Sequence, residues 1–170
     1  QTIPLTILLL CSINYLTAQV SVTATAGTMG PTSYTTLNSA FTAINNGTHQ
    51  GVIDISITGN TTEPGTPVPL LKSATPSNYS SISIKPSGGN WIINSATVPT
   101  ASRGIIELSG ADNVTIDGDD PSTSGTQNLT IQAATSTTTG IACVRFASTS
   151  TTGTDGADNN ILKNCILIGS

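Results

Sequence analysis

The chain has 170 residues, enough for one domain with an apolar core, and 36% of them are apolar while only 8% are charged. Five Lys and Arg against nine Asp and Glu leave a net charge of −4. A nucleic-acid binder needs a basic surface to displace counterions, so that class is excluded, and an anionic polysaccharide with it unless a divalent cation bridges.

Ile3 to Leu10 is a compact apolar run, followed by more polar residues up to Gln19. This is the pattern of a secretory signal peptide over residues 1–19, and it is too short for a membrane span. With no Met or basic stretch in front, the chain is expected to lack its first few residues and to carry no membrane span once mature. Residues 20–50 are expected to hold a strand and a capping helix. Val20 to Ala26 alternates like a strand up to Gly27. Thr35 or Thr36 then caps a helix in which Leu37, Ala40, Phe41 and Ile44 recur at i, i+3, i+4 and i+7, and Asn45-Asn46-Gly47 stops it. A lone amphipathic helix ahead of a repeat array covers its apolar end.

Residues 51–170 read as the array. Val52 to Gly59 alternates, with Ile53, Ile55 and Ile57 on one face; Asn60 to Ser80 reads as a long proline-containing loop interrupted by a short apolar piece, Val68 to Leu71; Ser81–Pro86 and Trp91–Ile93 are further strands. A duplication follows. Gly110-Ala111-Asp112-Asn113 recurs as Gly156-Ala157-Asp158-Asn159, placing Ile116 on Leu162 and Asp117 on Lys163. Gly104–Leu108 matches Ala142–Phe146, and Asn128–Ile131 matches Cys165–Ile168. Units that cannot bury an apolar face alone must stack. The expectation is an all-β, right-handed parallel β-helix of about three coils. Its columns would run Ile55 and Ile57 to Ile106 and Leu108 to Val144 and Phe146; Ile82 and Ile84 to Val114 and Ile116 to Asn160 and Leu162; and Ile92 to Leu129 and Ile131 to Ile166 and Ile168. On outward faces Glu107 then falls beside Arg145 and Asp117 beside Lys163. Three cysteines are too few for a disulfide scaffold, and Cys143 and Cys165 are expected to be unpaired. The array is expected to continue past Ser170, so that further coils of the same polypeptide or a self-partner cover its last coil.

Tyr34–Asn45, Gly110–Gly118 and Asn159–Cys165 resemble the N-terminal portion of secreted pectin-lyase-like β-helix proteins of Bacteroidetes type. That resemblance implies a secreted or cell-surface location, and a fold that serves enzymes, adhesins and passive stalks alike. Lyases of this fold hold Ca²⁺ with several carboxylates, and polygalacturonases use paired aspartates with a His and an Arg-Ile-Lys segment. Neither pattern is present here. Asp117, Asp119 and Asp120 form the one Ca²⁺ candidate, against the simpler reading of a polar turn. Trp91 and Tyr79 are the candidates for stacking on a sugar, against packing. His49 is the only histidine and no Ser-His-Asp set is credible, so no catalytic residue and no cofactor is assigned. The expected function is a structural or adhesive segment of a secreted protein, with an extracellular polysaccharide or cell-surface glycan as its expected contact. The alternatives are the N-terminal part of a polysaccharide lyase or glycosidase, with its groove on later coils, and a carbohydrate-binding module.

Overall fold

Alternating apolar and hydroxyl side chains broken by Gly, Pro and Asn give short strands. A computed structural model describes residues 17–95, 102–133, 141–150, 152 and 154–169. All but the last three residues of the expected signal segment lie outside these. The elements are β1 (Val20–Gly27), β2 (Thr32–Tyr34), α1 (Leu37–Asn45), β3 (His49–Ile57), β4 (Thr61–Glu63), β5 (Leu70–Leu71), β6 (Tyr79–Pro86) and β7 (Trp91–Ser95). They continue with β8 (Gly104–Ser109), β9 (Val114–Asp117), β10 (Leu129–Gln132), β11 (Ala142–Ala147), β12 (Ile161–Lys163) and β13 (Cys165–Ile168).

The expected right-handed parallel β-helix is corrected. The strands form three separate sheets rather than one coiled sheet: β12-β9-β6-β3-β1-β2, β13-β10-β7-β4 and β11-β8-β5. The first is mixed, because β1 pairs antiparallel with both β2 and β3. The architecture is therefore a mixed multi-sheet one with a single helix among the described residues, neither a solenoid nor the pectin-lyase-like fold of the resemblance. Alternation announces a strand but not its neighbour. From β3 onward each parallel partner lies three strands further along the chain.

The columns divide accordingly. Ile106 and Val144 are in register, as are Leu108 and Phe146, and Ile116 with Leu162. Ile82 and Ile84 face Val114 and Ile116. These follow the duplication. The neighbour of Ile55 is instead Ile84, and that of Leu108 is Leu70. Two strands, β4 and β5, occupy the stretch read as a loop, since two or three residues among prolines show no period. In the second sheet Leu129 faces Trp91 and Cys165, and Ile131 faces Ile93 and Leu167. The expected register there is one residue off, and a slip of one turns each side chain to the other face of its strand.

The core runs through Ile53, Ile55, Ile57, Ile82, Ile84, Val114 and Ile116, with Leu70, Leu108, Leu129 and Ile131 completing it from the other sheets. Each such side chain contributes about 1.5–3 kcal/mol by leaving water. Helix α1 begins at Thr36, whose hydroxyl accepts from Ser39 N at 3.1 Å. It buries Leu37, Ala40, Phe41 and Ile44 and packs on β1 to β5. Those four are the residues that the periodicity places on one face.

Candidate functional site

Sheet faces turned to solvent are set by the same alternation that fills the core. On the first sheet Asp54 faces Ser83, Ser83 faces Thr115, and Asp117 faces Lys163. With Ser81, Lys85 and Asn113 these line a shallow groove of about 270 Å³. Asp117 is engaged: it accepts from Asn164 Nδ2 at 2.9 Å and from Asp119 N at 3.2 Å, and pairs with Lys163 at 3.1 Å. Burial pushes its carboxyl up, but the bonds from Asn164, Asp119 and Lys163 outweigh this and hold it below the ordinary carboxylate value. Asp54 and Lys85 make no hydrogen bond or ion pair among the described residues. The groove offers carboxylates, ammonium groups and hydroxyls, with no histidine or cysteine among the residues that line it.

Asp120 is buried and works as a corner post. Its carboxylate accepts from Ser122 Oγ at 2.7 Å, Ser122 N at 3.0 Å and Gly88 N at 2.7 Å, which ties two corners together. The Ser122 bonds, with those of Gly88 and Gly89, hold its carboxyl below the ordinary value. Asp119 is half-buried beside it. Among the described residues no group of three or more His, Cys, Asp or Glu is placed to hold a metal, the Asp117, Asp119 and Asp120 set included. The donors around Asp117 and Asp120 are those of a polar turn.

The two sugar-stacking candidates are not brought together as a platform. Tyr79 is 5% exposed, and its hydroxyl donates to Leu71 O at 2.6 Å; burial and Asp112 raise its pKa. Trp91 is half-buried, donates from Nε1 to Ser87 O at 2.9 Å and folds over Gly89. His49 is fully buried. Its Nδ1 must donate to the Thr28 carbonyl at 2.5 Å, which leaves Nε2 to accept from Tyr34 OH at 2.7 Å. The sole histidine thus clips β3 to the β1–β2 turn. Cys143 and Cys165 are free, as expected. Burial raises both thiols, Cys165 to about 11.

Three polar residues have roles that sequence reasoning did not assign. Glu63 is 1% exposed, and its carboxylate takes Leu37 N and Asn38 N at 2.9 Å each and Asn38 Nδ2 at 2.6 Å. It serves as the anion at the start of α1, where the backbone N–H groups have no partner of their own. The available signal was the absence of any acidic residue in that first turn. Glu107, expected on an outward face, is 2% exposed under Arg103, which it meets at 2.6 Å; Arg145 stands at 3.8 Å. Asn160, expected in one column with Val114, follows Asn159, which takes the left-handed conformation with φ 56°. Its own amide bridges Ala111 O at 2.7 Å and Val114 N at 2.8 Å.

Comparison of the chain with protein-family models, with curated proteins and with solved structures gives no match in any of the three. The strand arrangement lends no support to the expected secretion or to a carbohydrate ligand.

Proposed function

We propose that the chain is a structural segment, a set of mixed sheets without a catalytic site of its own. One observation carries this reading. The polar side chains richest in chemical potential, Glu63, Glu107, Asp117, Asp120 and His49, are all buried and bonded to the chain's own backbone or to neighbouring side chains. A general base needs a reacting group within hydrogen-bond reach, and these groups spend their bonds on corners and helix ends. Asp54 and Lys85, which make no such bonds among the described residues, lie on an open face with no nucleophile activated between them.

Two measurements on the purified chain test this. Asp120→Ala and Glu63→Ala are expected to lower the melting temperature, as residues holding the frame do. The wild-type chain is expected to release no reducing ends or unsaturated products from a panel of neutral and acidic polysaccharides. Turnover that disappears in Asp54→Asn overturns the proposal.

A further inference from the structure

We propose that the chain is cut by a peptidase between Ala18 and Gln19, one residue ahead of the boundary set from the sequence, so that Gln19 is the first residue of the mature chain. The proposal rests on the reading of Ile3 to Leu10 as the apolar centre of a removable leader.

The two sides of this bond differ. Thr17 and Ala18 are exposed and make no hydrogen bond among the described residues. Gln19 is half-buried and held in three ways. Its N–H donates to Tyr34 O at 3.1 Å, and its C=O accepts from Thr58 N at 2.8 Å. Its side chain lies across Gly59, where a Cβ would come within 2.8 Å of Gln19 Cγ. The backbone bonds reach β2 on one side and the residue after β3 on the other, so Gln19 prolongs β1 between the same two neighbours. Val20 is fully buried and in register with both Tyr34 and Ile57.

Hydrolysis adds one water across a peptide bond, leaving a carboxylate on the residue before it and an ammonium on the residue after it. A cut after Ala18 puts the ammonium on half-buried Gln19, which reaches solvent and still has Tyr34 O to donate to. A cut after Gln19 puts it on Val20, which is 0% exposed, and a buried charge without a partner is costly. Nothing nearby compensates it. From Val20 to Ile53 the chain contains no Asp, Glu, Lys or Arg. The one carboxylate on β1, β2 or β3 is Asp54, level with Thr23 rather than with Val20. That second cut also removes both backbone bonds of Gln19 and uncovers Gly59. The letters favour the same bond: Ala18 is the small residue that a leader peptidase takes just before the cut and Gln19 is not, although Leu16 departs from the small residue expected two positions earlier.

Two measurements test this. In the first, the full reading frame is expressed in an exporting host and the N-terminal peptide of the exported product is identified by mass spectrometry. Gln19 is expected as its first residue. Any other first residue overturns the assignment of the bond and leaves the leader standing, whereas an uncut product overturns both. In the second, thermal melts compare chains begun at Ala18, Gln19 and Val20. The first two are expected to melt together and the third at least about 4 °C lower. Equal melting of the chains begun at Gln19 and Val20 overturns the claim that Gln19 belongs to the frame, and with it the proposal.

Discussion

Single polar residues hold this molecule at points where the backbone cannot satisfy itself. Glu63 is the sharpest case, because three donors converge on one buried carboxylate. Glu63→Ala strands those donors, and buried unsatisfied groups cost about 1–3 kcal/mol each. The loss expected in urea unfolding is about 3 kcal/mol, with relaxation of α1 absorbing the rest; a loss under about 0.5 kcal/mol contradicts the capping role. Acid acts on the same kind of contact. Asp117, Asp120 and Asp155 all have folded-state pKa values below the ordinary one. For Asp155 the bond from Lys72 is the main cause. A depressed carboxyl stabilises the fold above its unfolded value of about 3.9 and loses that contribution as pH falls through the folded value. The melting temperature is therefore expected to be flat from neutral pH down to about 4 and to fall steeply below. Asp117→Asn should lower the plateau and shallow the acid slope; an unchanged slope removes Asp117 from the account.

Elements meet at corners, and the corners select residue types by space and by φ. Gly118 shows the first constraint: a Cβ there would lie 2.0 Å from Asn164 O, a backbone atom of the following turn. Asn113, Asn159 and Asn164 show the second, with φ of 58°, 56° and 55°, a conformation that short amide side chains tolerate and β-branched ones do not. Gly118→Ala is expected to push the β12–β13 turn away and to cost about 1–3 kcal/mol as an overpacked site does. Asn113→Gly should be nearly neutral and Asn113→Val clearly destabilising. Thermal melts of the three variants check the order. If Gly118→Ala melts with the wild type, the close approach of the two turns is not a constraint on the fold.

The duplication made part of the whole molecule readable. Two copies in one chain report their own register, which is why Ile106 with Val144 and Asp117 with Lys163 could be paired from letters alone. Helix α1 was readable because nine residues span two and a half turns of a 3.6 period. What stayed hidden had no period to show: β4 and β5 are too short, and Leu129 could not be told to face Cys165 rather than Ile166, because alternating apolar residues fit either choice. The division into sheets was hidden for a related reason, since pairing depends on which strands meet after the corners are turned. The candidate site was less legible still, as burial decided it: Tyr79 reads as a residue for stacking or for packing and Glu107 as an outward one, and both are covered. Stability should differ between the strands of these sheets. β3 and β6 have strand neighbours on both sides and fully buried columns, whereas β12 and β13 have one neighbour among the described residues and exposed apolar side chains. Few buried contacts and open backbone groups define the parts that unfold locally first. Hydrogen exchange is therefore expected to be slowest for Ile53–Ile57 and Ile82–Ile84 and fastest, by about two orders of magnitude or more, for Cys165–Ile168. Equal protection of β3 and β13 would show that the strands unfold as one unit.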